Sequence, residues 1–315
     1  MKIFRLVGLL FLVMEVGLTQ GHEIKSVEGF IDLPQGKVWY RKFFTQAVEH
    51  DVPLIVLHGG PGCTHDYLQR LSVLANKMPV ILYDQGDCGR SVSDVANKDF
   101  WTLERFTREL EGIVNYFKVG KVHLMGHSWG AAPVISYAAK FPERVASIVL
   151  ASPLLNTGQW LADAGRLLKK MPEQLQQVIA KHEQEKTFEA EEYQAAVAIF
   201  YEQFLCRISK PDEMQKAFQL LNVKMYQEMW GPSEFTVTGS LRNLDCLPDL
   251  ALINSPILFT CGRFDEATPE TVMAAAKKVA RGECVVFEQS AHFAMLEEPE
   301  AYQVVLRGFF ERVAG

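Results

Sequence analysis

The chain carries little concentrated positive charge. Its net charge is −6, and no basic run is longer than a pair such as Lys169-Lys170 or Lys277-Lys278. Nucleic-acid binding needs a dense basic surface, so the composition speaks against it. Metal and nucleotide signatures are missing too. There is no HExxH and no Walker loop, and the glycines of "HGGPG" (58–62) lack the dinucleotide spacing. No metal and no cofactor is expected. No internal repeat or low-complexity stretch is present, which excludes solenoid and unstructured classes. The six cysteines, at 63, 88, 206, 246, 261 and 284, form no CxxC. Their spacing fits neither a zinc site nor a compact disulfide framework. Several fall in predicted strands, where a free thiol is a small apolar filler. Cys206 and Cys246 are one pair that an oxidising compartment would allow to join.

The first twenty residues, "MKIFRLVGLLFLVMEVGLTQ", stand apart. Lys2 and Arg5 give a positive start, and Leu6 to Met14 is apolar apart from Gly8. Glu15 and then small and polar residues follow. The apolar run is too short to span a bilayer. Residues 1–21 read as a secretory signal cleaved around Thr19 to Gly21, which implies export to a periplasm or outside the cell. The alternatives are a buried first helix or a membrane-anchored N-terminus, or a protein that stays cytoplasmic.

The rest of the 315 residues are enough for one large core, with an insertion. "EIKSVEGFIDL" and "KVWYRKFF" read as strands joined by a "PQGK" turn. Short β-branched runs follow at 53–57, 79–83, 121–125, 145–151, 256–260 and 283–287. Helical stretches near 66–76, 102–118, 129–140, 269–280 and 299–313 alternate with them. That alternation predicts an α/β fold: a mostly parallel sheet with helices on both faces. Between 154 and 250 the period becomes helical only, in three amphipathic stretches. This predicts a helical cap over the strand ends, inserted between core segments 22–153 and 251–315, where such folds bind ligands.

"GHSWG" (126–130) sits between a strand and a helix, the context that a Gly-x-Ser-x-Gly elbow requires. Gly126 and Gly130 relieve crowding in the turn. Ser128 would stand at a helix N-terminus, which favours developing negative charge. The "HGGPG" loop follows strand 53–57. The amides of Gly60 and Trp129 are the candidate oxyanion hole, with Gly59 the alternative to Gly60. His58 reads as a loop anchor. A serine needs a base; His292, beyond strand 283–287, is placed for that work. Asp265, beyond strand 256–260, would orient it, with Asp84 the rival acid. The order Ser128, Asp265, His292 is that of the fold's triads. His127 would point away from the serine hydroxyl. The remaining histidines read as surface or loop residues.

The segments "LHGGPGCTHDYL", "YDQGDCGRS", "GHSWG", "GPSEFTVTG", "FTCGRFDEATPE" and "SAHFAMLEEPE" together resemble the proline iminopeptidase family of α/β-hydrolases, from about residue 25 to the C-terminus. The resemblance implies a cofactor-free serine peptidase that removes an N-terminal residue, typically proline, from short peptides. It also implies that Glu234 and Glu266 are the anchors of the substrate amine. An aminopeptidase must sense an ammonium, and two carboxylates around one cation supply charge-assisted hydrogen bonds. Trp230, Phe235 and Phe293, with Trp129, are candidates for an apolar slot around a proline ring. Two departures stand out. Asp87 and Ala131 occupy positions where the family commonly has glycine, which puts the pocket wall in question. The rival readings are an esterase, an amino-acid amidase or a lactone hydrolase on the same scaffold, and a non-catalytic binding module. The usual mark of the last is a lost triad member, and all three are here. Dehalogenases and epoxide hydrolases would need an aspartate at Ser128.

Overall fold

A computed structural model describes residues 23–93 and 101–314. The expected signal segment lies outside them. β1 (Lys25–Leu33) and β2 (Gly36–Phe44) form an antiparallel hairpin in which Leu33 faces Gly36 across Pro34 and Gln35. Seven more strands follow: β3 (Leu54–Leu57), β4 (Val80–Tyr83), β5 (Val92–Ser93), β6 (Val122–His127), β7 (Val145–Ala151), β8 (Ile257–Gly262) and β9 (Gly282–Phe287). They build one sheet in the order β1-β2-β4-β3-β6-β7-β8-β9, with β5 short and paired to β2. From β4 to β9 every pairing is parallel. The chain order reverses between the neighbours β3 and β6. At such a switch point the loops beyond the two strands diverge and leave a crevice.

Burial on both faces explains the unbroken apolar strands. Every residue of β3, β4, β6 and β8 is buried. Alternate side chains face opposite layers. Ile55, Leu57, Ile81 and Leu124 pack with α1 (Leu103–Tyr116) and α2 (Ala131–Lys140). Leu54, Val56, Val80, Leu82 and Met125 face the other layer, which includes the segment Asp66–Asn76. That predicted helix is a 3₁₀ run, wound more tightly than expected.

Between β7 and β8 lie α3 (Thr157–Leu168), α4 (Glu173–Glu185), α5 (Glu191–Phe204), α6 (Asp212–Gln219), α7 (Val223–Met229) and the short α8 (Leu247–Leu250). Among the described residues the segment has no strand, only two isolated bridges. The three expected stretches become five main helices for local reasons. Pro172 has no N–H and pushes its predecessor out of the helical region, so α3 and α4 separate. The side chain of Asn222 accepts the Met225 amide and starts α7 anew. The C-terminal part adds α9 (Pro269–Ala276), α10 (Ala294–Glu297) and α11 (Pro299–Ala314). Leu306 and Phe309 of α11 join the second layer. No helix among the described residues is long and apolar enough to cross a membrane.

The structure decides between the readings of the cysteines. All six are free, and Cys206 and Cys246 belong to different core clusters. Titration of the denatured chain with a thiol reagent, without reductant, should find all six. A count of four would restore a disulfide.

Candidate active site

β6 runs straight into Ser128, whose φ is +55°. A non-glycine residue is strained there, at about 1–3 kcal/mol, and needs surrounding structure to hold it. The two flanking glycines make that possible. A Cβ on Gly126 would lie 2.3 Å from the Gly130 carbonyl oxygen; one on Gly130 would lie 2.6 Å from that of Leu57. The turn therefore packs tightly against β3, and Ser128 stays partly exposed while its neighbours are buried.

His292 and Asp265 come from loops beyond β9 and β8. Their contact, Nδ1 to Oδ1, is 2.8 Å long. Asp265 is 1% exposed and fully engaged. Its carboxylate also accepts the Ala267 amide at 2.8 Å, the Gly262 amide at 3.2 Å and the Ser152 hydroxyl at 2.6 Å. Ser152, at the end of β7, also donates to the His292 carbonyl at 3.1 Å. It thus ties acid and base together. Sequence reasoning missed Ser152; its one signal was a polar residue at a strand's C-terminal end. Asp84 is excluded as the acid, because it accepts the His65 ring and amide at 2.7 and 3.0 Å. The surface-or-loop expectation fails for two histidines. His123 is buried in β6 and His182 in α4, because their ring nitrogens meet partners inside the fold.

His58 anchors its loop as expected. Its Nε2 accepts the Gln85 amide at 2.9 Å, which leaves Nδ1–H for the Gly59 carbonyl, also at 2.9 Å. Burial lowers its pKa to about 4 and keeps the ring neutral. The choice between Gly59 and Gly60 is resolved by hydrogen bonding. The Gly59 amide donates to Tyr67 Oη at 2.6 Å, and that hydroxyl meets His127 Nδ1 at 2.8 Å. His127 Nε2–H is spent on the His292 carbonyl at 3.0 Å. Gly59 therefore has no amide to offer. Gly60, at φ +114°, lines the cavity with Ser128. The Trp129 amide lies in the first turn of a helix, where no preceding carbonyl is in place to accept it. The Trp129 ring is buried, and its Nε1–H donates to Gln85 at 3.0 Å.

These groups open on a cavity of about 470 Å³. Its other wall comes from the helical segment between β7 and β8. Tyr193, Val197, Tyr201 and Leu205 line it at four-residue spacing, roughly 18 Å along α5 and its end. Glu234 and Glu266 both face this cavity, 8% and 4% exposed. Glu234 accepts Trp160 Nε1–H at 2.8 Å, Tyr226 Oη–H at 3.2 Å and, more weakly, Tyr201 Oη–H at 3.4 Å. Glu266 is different. Its Oε1 stands 3.8 Å from His292 Nε2, and its buried Oε2 has no hydrogen-bond partner. Burial, then the charges of Glu234 and Asp265, hold the Glu266 carboxyl well above its usual range. Burial also raises Glu234, against the pull of its donors.

Trp230 and Phe293 line the cavity; Phe235 does not. The turn that points Glu234 inward points Phe235 the other way, where its ring packs edge-on against Phe200 at 5.0 Å. Trp160, Tyr201 and Tyr226 were not anticipated. Each sits on a helix, where an aromatic residue reads as core.

The sequence matches the family model described as alpha/beta hydrolase fold over residues 52–299. The proline iminopeptidase of Heyndrickxia coagulans is 42% identical over 288 residues, 91% of this chain and 99% of that one. The chain belongs to the proline iminopeptidase family of α/β-hydrolases. The Saccharolobus solfataricus proline iminopeptidase is 32% identical, covering 93% of this chain and 95% of its own. Among solved structures, VinJ superimposes with a TM-score of 0.86 at 34% identity, over 91% of this chain and 99% of its own. The proline iminopeptidase of Mycobacterium smegmatis does so with 0.85 at 27% identity, over 91% and 98%.

The two departures from the family pattern leave the cavity alone. Asp87 has φ +65°, the region that favours glycine. Its carboxylate accepts the Ser93 amide at 2.9 Å and Trp101 Nε1–H at 2.8 Å. Ala131 is buried at the start of α2. Neither lines the cavity.

The raised Glu266 carboxyl has a consequence for stability. The folded chain keeps this proton at pH values where the unfolded chain has released it. Stability therefore falls as pH rises from the ordinary carboxyl value through the raised one. Glu266→Gln should lift the melting midpoint at about pH 8 by roughly 2–4 °C, and by less at about pH 5. Melting curves at both pH values check this; an equal or lower midpoint at about pH 8 refutes it.

Proposed function

We propose that this chain is a serine aminopeptidase that releases an N-terminal residue, preferentially proline, from short peptides. One observation carries the reading. A buried carboxylate oxygen of Glu266 lacks any partner, beside Glu234, in the cavity that holds Ser128 and His292. Burying an acid without a partner costs several kcal/mol, so such a group calls for a cation from outside. The ammonium of a peptide N-terminus is one. An internal peptide bond or a simple ester brings none. The relatives named proline iminopeptidase support proline as the preferred residue, and Trp160, Trp230 and Phe293 offer apolar faces for its ring. The length of cavity along α5 leaves room for residues beyond the scissile bond.

The chemistry follows from the placement. The amine docks between Glu234 and Glu266 and displaces their excess proton. The first carbonyl lies over Ser128, its oxygen toward the amides of Gly60 and Trp129. His292 takes the serine proton as the C–O bond forms, then gives it to the leaving amine as the C–N bond breaks. Asp265 and Ser152 hold His292 in register. Water repeats the cycle in reverse and frees the amino acid.

Losing the amine from this arrangement should cost roughly 2–5 kcal/mol. A proline arylamide should therefore exceed its N-acetyl counterpart in kcat/KM by about thirtyfold or more. Labelling by a fluorophosphonate should vanish in Ser128→Ala. Equal turnover of the two arylamides would defeat the amine reading; labelling that survives Ser128→Ala would defeat the nucleophile.

We further propose that residues 154–250 act as a cap that sizes the substrate, and that residues 1–21 direct export. The positive start and short apolar run support export. Protein recovered from outside the cytoplasm should begin near Gly21 by N-terminal sequencing. An intact Met1 on cytoplasmic protein would overturn this.

A further inference from the structure

Glu234 works only if its carboxylate is aimed, and the turn that carries it is held from outside the cavity. Gly231, at φ +153°, begins the turn so tightly that a Cβ there would lie 2.6 Å from the Thr236 carbonyl oxygen. Ser233 Oγ accepts the Phe235 and Thr236 amides at 3.2 and 3.1 Å and closes it. The hydrogen of that hydroxyl goes to Glu183 Oε1 at 2.6 Å. Glu183 sits near the end of α4 and does not line the cavity. Its other oxygen accepts the Thr236 hydroxyl, and Oε1 also accepts Tyr193 Oη–H at 2.5 Å. One carboxylate thus receives hydroxyls from both flanks of Glu234 and from α5.

A carboxylate only accepts, so all three hydroxyls are forced to donate toward it. This fixes the rotor of Ser233, and with it which lone pairs remain for the two turn amides. The helix that bears Glu183 is itself pinned. The adjacent His182 is buried, and its Nε2 meets Glu192 Oε1, at the start of α5, at 2.7 Å. α5 in turn carries Tyr201, which donates to Glu234. The two sides of the amine anchor therefore share one clamp.

We infer that Glu183 is a positioning residue for amine recognition: it sets the 233–236 turn so that Glu234 meets the substrate ammonium. The inference rests on the aminopeptidase reading. It assigns a role to a residue that touches neither substrate nor triad. It also separates two jobs of the cap, enclosing the cavity and aiming one charge.

The test compares a proline arylamide with an aryl acetate, which reacts at Ser128 without an amine. Glu183→Ala should lower kcat/KM for the arylamide by about tenfold or more, chiefly through KM. Turnover of the aryl acetate should change less than about twofold. Glu183→Gln keeps an acceptor oxygen and should recover most of the loss. Hydrogen exchange across residues 231–237 should quicken in Glu183→Ala and not in the triad loops. Should Glu183→Ala fail to melt cooperatively, the paired change Ser233→Ala with Thr236→Val takes its place, with the same expectation. A parallel fall for both substrates, or no fall, overturns the inference. Failure of the aminopeptidase reading shows instead in the wild-type protein, as equal turnover of acetylated and free arylamide, and it removes the role of Glu183 with it.

Discussion

Two acids that share one buried cavity, with no fixed cation between them, set the terms for the rest of the molecule. Glu234 is satisfied by an indole and two phenols. Glu266 keeps an oxygen without a partner. A protein interior resists such charge, so burial holds both carboxyls above their usual range. In the proposed reading a bound ammonium would relieve both acids at once. Recognition and catalysis would then meet in one cavity, because Ser128 lines it together with both acids. The binding energy of the amine would go into orienting the first carbonyl.

The scaffold brings these groups to one place. Ser128, Asp265 and His292 stand on loops beyond β6, β8 and β9, all ends of strands in the parallel part of one sheet. Ser152 adds a fourth strand end. Hydrogen bonds join these loops directly: Ser152 to Asp265 and to the His292 carbonyl, and His127 to that same carbonyl. A shift in any one strand would therefore move the base and its acid together. The helical segment between β7 and β8 is built to a different rule. It supplies Glu234, Trp160, Tyr201 and Tyr226, and it depends on side-chain clamps, Glu183 foremost, because its helices share no ladder.

Legibility followed the range of the interactions. Ser128 was readable because the strand, the tight turn and the helix all lie within a few residues of it. Asp265 and His292 were readable because each follows a strand by a short loop, in the order this fold uses. The strands themselves were visible as β-branched runs. His123, His182 and Phe235 misled for one reason: their surroundings come from other segments of the chain. Phe235 is adjacent to a cavity residue, yet a turn sends it to Phe200. The same holds for Gly59, whose amide is consumed by a tyrosine eight residues on, itself held by a histidine from another strand.

The amino-acid order by itself determined the alternation of strand and helix, the elbow and the candidate reacting groups, since each depends on local sterics and on period. The family resemblance added Glu234 and Glu266 as candidate acids for an amine. Only the tertiary structure decided that they face one cavity, that Gly60 rather than Gly59 keeps a free amide, that no cysteine pairs, and that Ser152 and Glu183 hold the site in place. Those outcomes depend on which side chains meet across the sheet and the cap, and no spacing along a chain encodes a meeting that the packing of distant segments creates.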